Sequence, residues 1–251
     1  MTTPLVLLHG FAFNRCVFDS LCAELTPTRT CLALDLPGHG GRNGDALPRS
    51  IHALQGDLQE YLPPQCDLLG WSLGGQAALA LAASCPERVR RLVLVTTTPR
   101  FIAGDDWAWG MASEVFADFR RRMQCDPEAT VRDFLDLSLR GSRAASAQRA
   151  ELTRALREGG QPGAETLAGG LDLLARTDLA ALCPRIATPA LIISGEYDRI
   201  TPSAASRWLA QNLGSARHLE LARAAHCPFL SHGREFLGAL EAFLGERDLA
   251  A

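Results

Sequence analysis

The 251-residue chain contains no lysine, and all 25 of its basic residues are arginine. We read this as codon bias with no mechanistic weight. Against 28 acids the arginines leave a formal charge of −3, which speaks against a general nucleic-acid binder, whose first footprint is a basic face. Aromatic residues are sparse at 6%, yet apolar residues reach 47%, ordinary for a domain that buries a sizeable core. No apolar run approaches the length needed to span a bilayer. The opening run Leu5-Val6-Leu7-Leu8 is too short for the core of an export signal, and no basic residue precedes it. The eight cysteines form no CxxC pair. Without an export signal they are expected to be reduced and mostly buried, neither bridges nor zinc ligands, in a cytoplasmic protein. With no metal cluster and no phosphate-cradling glycine loop, no cofactor is expected.

What is present is a rhythm. Short apolar, β-branched runs at 5–8, 30–34, 66–69, 92–95, 190–194 and 218–221 alternate with helical patterns such as 76–84 and 235–244. That alternation predicts a parallel sheet with crossover helices, its strands buried on both faces. Between 104 and 176 the rhythm breaks. Amphipathic helical segments at 113–123, 130–139 and 147–157 follow one another with no strand, and Gly159-Gly160-Gln161-Pro162-Gly163 supplies a turn. The expected organisation is therefore a core of 1–103 and 177–251, with 104–176 inserted as a helical lid over the active face.

Gly70-Trp71-Ser72-Leu73-Gly74 matches G-x-S-x-G. Five residues alone can arise by chance as a glycine turn with an incidental serine, so context decides. A strand precedes the pattern and an alanine-rich helix follows it, the setting that exposes a serine oxygen on a sharp, strained turn. Larger side chains at Gly70 or Gly74 are expected to collide with the neighbouring strand and helix.

A serine hydroxyl needs a base to take its proton, and the base needs an orienting carboxylate. Downstream, Gly195-Glu196-Tyr197-Asp198-Arg199 follows an apolar strand. Asp198 is favoured over Glu196, which lies nearer the strand. After the next strand, Ala224-Ala225-His226-Cys227-Pro228-Phe229 offers His226 in a loop of small residues. His232 is its competitor and is expected to cap or lie on the surface at the start of the last helix. His52 and His218 read as surface or packed histidines. An oxyanion hole needs two backbone N–H groups. Leu73 after the serine and Phe11, in His9-Gly10-Phe11 after the first strand, are the candidates, with His9 a structural hydrogen-bonding residue. Asp35-Leu36-Pro37-Gly38-His39-Gly40 reads as a shaping turn. Cys227, beside His226, is a candidate for oxidation sensitivity.

These strings resemble the α/β-hydrolase family throughout its core. More narrowly, Gly70-Trp71-Ser72-Leu73-Gly74-Gly75 and Ala224-Ala225-His226-Cys227-Pro228-Phe229-Leu230-Ser231-His232 are similar to the pimeloyl-[acyl-carrier protein] methyl ester esterases of biotin synthesis. So are Thr130-Val131-Arg132-Asp133-Phe134-Leu135 and the stretch from Thr166 to Leu174. The resemblance implies an α/β-hydrolase fold and hydrolysis of the methyl ester of pimeloyl-carrier protein to methanol and the free acid. It also implies Ser72 as nucleophile, His226 as base, Asp198 as its orienter, and Trp71, Phe11 and Phe134 along an acyl channel. For Trp71 and Phe134, ordinary packing is the competing reading.

The implied partner is an acyl-carrier protein, which is acidic and calls for a positive face. Residues 101–180 hold ten arginines against thirteen acids, but 138–157 hold Arg140, Arg143, Arg149, Arg154 and Arg157 against Glu151 alone. That stretch is the expected docking site, with a solvated helix face as the competing reading. No nucleic acid or membrane is expected as a partner, and the protein is expected to be a monomer. The chain departs from the family pattern by starting directly at the strand before the oxyanion loop. Its arginines also fall out of register with the docking arginines associated with the family. Competing functions are a small-molecule esterase, lactonase or carbon–carbon hydrolase on the same fold, and a catalytically silent binding protein. Dehalogenase and epoxide-hydrolase chemistry are disfavoured, because both use aspartate at the nucleophile position.

Overall fold

The structure, a computed structural model, describes residues 2–142 and 145–246. Six strands form one sheet in the order β2-β1-β3-β4-β5-β6: β1 (Leu5–Leu8), β2 (Cys31–Leu34), β3 (Cys66–Trp71), β4 (Val89–Val95), β5 (Ala190–Gly195) and β6 (Ala216–Leu221). Every neighbouring pair runs parallel. The central strands are apolar over most of their length, and β1, β3 and β5 are buried at every position. The expectation of burial on both faces fails for β2 and β6, which are half-exposed over most of their length. Both lie at sheet edges, where one flank has no neighbouring strand to shield it.

The core helices are α1 (Asp19–Leu25), α2 (Ile51–Gln59), α3 (Leu73–Ser84), α8 (Ser203–Asn212), α9 (Pro228–Ser231) and α10 (Gly233–Gly245). Alanine and leucine on every side of α3 let it bury ten of its residues. Each fully buried leucine there contributes about 1.5–3 kcal/mol. Ser50 caps α2, its hydroxyl accepting from the Ala53 N–H at 3.2 Å.

Between β4 and β5 stand four helices, α4 (Ser113–Cys125), α5 (Pro127–Leu139), α6 (Ala145–Gly159) and α7 (Ala164–Arg176). Asp126 ends α4 and caps α5, accepting from the Ala129 N–H at 2.9 Å, with Pro127 in the first turn where its missing N–H costs nothing. The insertion leaves and rejoins the core at one neck. There Arg100 bridges Asp178, and the Leu179 N–H reaches the Pro99 carbonyl at 3.0 Å.

The strand order reverses between β1 and β3, because the chain first goes outward to β2 and then returns to build the other half of the sheet. In open parallel sheets the crevice beyond the carboxyl ends at such a reversal is where ligands bind. The loop holding Phe11 leaves β1, and Ser72 leaves β3.

Candidate active site

Ser72 occupies a backbone conformation few non-glycine residues adopt, with φ 55° and ψ −117°. Such strain costs about 1–3 kcal/mol and persists where its surroundings hold it. Here the Ser72 N–H donates to the Val95 carbonyl at 3.0 Å, and the Thr97 hydroxyl donates to the Ser72 carbonyl at 2.7 Å. The turn closes only on glycine. A Cβ on Gly70 would lie 2.6 Å from the Gly75 Cα, and one on Gly74 would lie 2.6 Å from the His9 carbonyl oxygen. A Gly74→Ala change therefore forces β1 and α3 apart.

Asp198 and His226 come together as the sequence predicts. The imidazole Nδ1 donates to Asp198 Oδ2 at 2.8 Å, and both side chains are essentially buried. The carboxylate is held from the other side too. Its Oδ1 accepts from the Ile200 and Thr201 N–H groups at 2.8 and 3.1 Å, and the Thr201 hydroxyl donates to Oδ2 at 2.7 Å. With its proton fixed on Nδ1, the His226 ring turns a lone pair outward from Nε2. That atom is buried and has no hydrogen-bond partner among the described residues. A buried acceptor of this kind can take a proton from a hydroxyl that approaches it. The loop is braced by its own backbone: the Trp71 indole and the Thr96 hydroxyl donate to the His226 carbonyl at 2.8 and 2.9 Å. The His226 N–H in turn donates to the Ser138 carbonyl of α5 at 3.0 Å.

The rivals are accounted for. Glu196 accepts the Arg223 N–H at 2.8 Å, away from His226. His232 occupies the N-cap position of α10, as expected, but it is buried and its side chain makes no capping bond; its Nδ1 sits 2.7 Å from the Ser231 hydroxyl. His218 is half-buried against the Ser194 hydroxyl at 2.8 Å.

Leu73 opens α3, so its N–H belongs to the first turn, which has no intrahelical acceptor. The Phe11 N–H has no acceptor among the described residues, and a Cβ on Gly10 would lie 3.1 Å from the Ser72 Cβ. The two loops are thus in contact, with two unspent donors beside Ser72. His9 supports this arrangement. Its Nε2 accepts the Leu36 N–H at 3.0 Å, which puts its proton on Nδ1 facing the Gly10 carbonyl at 2.9 Å. Burial, reinforced by His39 nearby, holds the His9 pKa well below that of a free imidazole. Burial likewise lowers that of His39, in the shaping turn.

A cavity of about 350 Å³ opens over Ser72. Its inner wall is apolar: Phe11, Phe101 and Ile200 from the core, Phe134, Leu171 and Leu174 from the insertion. Phe134 lies edge-on to Phe11 at 5.6 Å and against Phe119 at 5.7 Å, which seats α5 over the serine. Phe11 and Phe134 both line the cavity. Trp71 does not line the cavity. Its ring is packed between Phe13 and Phe229 at 5.1 and 5.2 Å and its N–H is spent on His226, so it supports the loop from behind.

The surroundings of Cys227 and of the lid arginines are as follows. Cys227 is fully buried, and burial with Asp198 nearby raises its pKa well above the usual thiol value, so it is held as an unreactive thiol. All eight cysteines are unbridged, and Cys125 is the exposed one. Of the arginines expected to dock a carrier, Arg143 lies outside the described residues. Arg149 is paired with Asp136, and Arg154 with Asp19 at 3.2 Å and with Glu158. Arg140 and Arg157 are exposed and have no ion pair among the described residues.

The sequence reading did not single out Thr201, although Asp198 followed three residues later by a threonine ahead of a helix is a visible signal for a side-chain–backbone turn. Nor did it find the outer cavity residues Glu114, Asp118 and Arg122 of α4, which carry no motif.

The model of the Alpha/beta hydrolase family matches residues 5–239. The chain is 37% identical over 238 residues to the pimeloyl-[acyl-carrier protein] methyl ester esterase of Nitrosomonas europaea, covering 95% of this chain and 94% of that protein. It is 38% identical to the protein of the same name from Xanthomonas axonopodis pv. citri, over 96% of this chain and 94% of that one. Among solved structures, an esterase from Exiguobacterium antarcticum superposes with a TM-score of 0.87 at 19% identity, covering 97% of this chain and 92% of that one. A match over nearly the whole length, with relatives at this identity, leaves one conclusion: the chain belongs to the alpha/beta hydrolase family.

Proposed function

We propose that this protein hydrolyses the methyl ester of pimeloyl-[acyl-carrier protein], releasing methanol and the free acid, as a step of biotin synthesis. The observation that carries the chemistry is the unpartnered, buried Nε2 of His226 set opposite a fully anchored Nδ1, beside a cavity that opens over Ser72. The substrate reading is supported by the 37–38% identity to relatives named for that activity.

In this reading Ser72, His226 and Asp198 are the catalytic triad. The Ser72 hydroxyl attacks the ester carbonyl while Nε2 takes its proton, and Asp198 stabilises the imidazolium that forms. The N–H groups of Phe11 and Leu73 receive the negative charge on the carbonyl oxygen. Nε2 then gives the proton to the departing methoxide, and methanol leaves a Ser72 acyl ester. Water attacks that ester as Nε2 takes one of its protons; Nε2 returns this proton to Ser72, and the acid leaves and gives its own proton to solvent. Phe11 and Phe134 flank the acyl chain. The insertion over 104–176 acts as the lid. Arg140 and Arg157, free of acids among the described residues, are the docking contacts for the acidic carrier. The enzyme works as a cytoplasmic monomer.

The test is to incubate the protein with methyl-pimeloyl-carrier protein and follow the acyl species by mass spectrometry, with Ser72→Ala as control. Conversion by the wild type alone, in preference to p-nitrophenyl esters, is the expected result. Turnover of simple esters only would leave the triad standing and reject the carrier substrate.

A further inference from the structure

The inner liners of the cavity are apolar, but its outer liners are not. Glu114, Asp118 and Arg122 are spaced four residues apart on α4 and so share one face of that helix. Glu114, Asp118 and their neighbour Val115, which is 58% exposed, mark the opening to solvent. Their charges do not cancel. Arg122, the residue that would welcome an anion, is held by Asp118 at 3.1 Å and by Asp133 at 2.8 Å. Asp118 is bonded by Arg121 as well. Glu114 has no ion pair among the described residues, so the rim keeps a net negative charge.

We propose that this acidic rim on α4 makes the site select acyl esters whose far end is uncharged over esters whose far end is a free carboxylate. The inference rests on the ester hydrolysis proposed above. A sphere of 350 Å³ is about 9 Å across, and six carbon–carbon bonds of a seven-carbon diacid span about 7–8 Å. With one carbonyl at Ser72, the other end of such a chain therefore lies at the rim. A thioester or ester there is neutral and meets no penalty. A carboxylate must leave water for an opening whose guanidinium is already claimed and whose unpaired charge is of its own sign. The rim thus separates a carrier-linked half-ester from the same half-ester cut loose as a free acid. It does so by charge at the far end, with no contact to the carrier.

The experiment compares kcat/KM for dimethyl pimelate and monomethyl pimelate at pH 7.5, where the half-ester is an anion. It uses wild type, Glu114→Gln and the double variant Glu114→Gln/Asp118→Asn. Glu114 is exposed, so folding is checked simply by unchanged circular dichroism. Wild type is expected to prefer the diester by about tenfold or more at about 20 mM salt. Glu114→Gln narrows that ratio about threefold, and the double variant, which also frees Arg122, narrows it further. Raising salt to about 500 mM narrows the wild-type ratio more than that of the double variant. A ratio that stays fixed in both variants and at both salt concentrations overturns the proposal, as does equal wild-type turnover of the two esters. The substrate reading is judged separately. If methyl-pimeloyl-carrier protein is not hydrolysed while the ratio responds to Glu114→Gln, the rim stands and the carrier assignment falls.

Discussion

Asp118 lines the cavity and Asp198 is buried against His226, and the two carboxylates are held on opposite terms. Asp198 is buried and accepts four hydrogen bonds, from Ile200, Thr201 twice, and His226. Asp118 stands half in solvent and meets Arg121 and Arg122 across open surface. The floor of the site is thus built from backbone donors fixed by the sheet, where one lost partner strands a buried charge and costs several kcal/mol. The ceiling is apolar packing trimmed with surface ion pairs, each contributing about 0–1 kcal/mol. Chemistry needs the first arrangement, because the geometry of proton transfer tolerates little error. Choice of substrate can live on the second, which changes without endangering the fold.

The contrast predicts a falling series of effects. Ser72→Ala should lower kcat/KM by about 10⁴-fold or more while leaving Tm nearly unchanged, since alanine keeps the same strained backbone and the Ser72 bonds that hold the turn are made by its backbone N–H and carbonyl. Retained esterase activity in that variant would move the nucleophile elsewhere. Asp198→Asn should cost about 10³–10⁴-fold in kcat, by freeing the imidazole to take the wrong tautomer. Glu196→Gln should cost less than about threefold, and a reversal of the two would break the assignment. Thr201→Val, which deletes one donor to Asp198, should lower kcat about tenfold with KM little moved. A rise in KM of that size with kcat unchanged would mean that the threonine acts on binding instead.

The floor should also be the acid-sensitive part. His9 and His39 are buried and neutral, with pKa values lowered from the ordinary 6.5 by desolvation. The unfolded chain binds more protons below that pH, so their contribution is full above about 6.5 and is lost as pH falls towards their folded values. Tm should decline between pH 7 and 5, and less steeply in His39→Gln. Identical slopes would assign the decline to other groups. Smallest of all, Asp133→Asn, which loosens Arg122 on the surface, should change stability by less than about 0.5 kcal/mol in chemical denaturation.

The floor was the legible half. Local patterns encode it: glycines where β3 turns into α3, an aspartate after β5, a histidine after β6, each at the carboxyl end of an apolar run. Six strands and the helical insertion followed from periodicity, with ends shifted by a few residues. The ceiling was not legible, because which face of α4 overlooks Ser72 depends on how four helices pack, and no local pattern states that. Trp71 illustrates the limit. The family resemblance implied a channel wall, with packing as the competing reading, and its ring packs onto Phe13 and Phe229. The edges of the sheet were misjudged for a related reason, since apolar content cannot tell a central strand from β2 or β6.

The peptide N–H of His226 is tied to the Ser138 carbonyl on α5, 88 positions back along the chain and on the other side of the cavity. That bond joins the loop carrying His226 to a helix of the insertion, so the two walls of the cavity are tied at one pair of backbone atoms, and the place of the imidazole depends on where α5 sits.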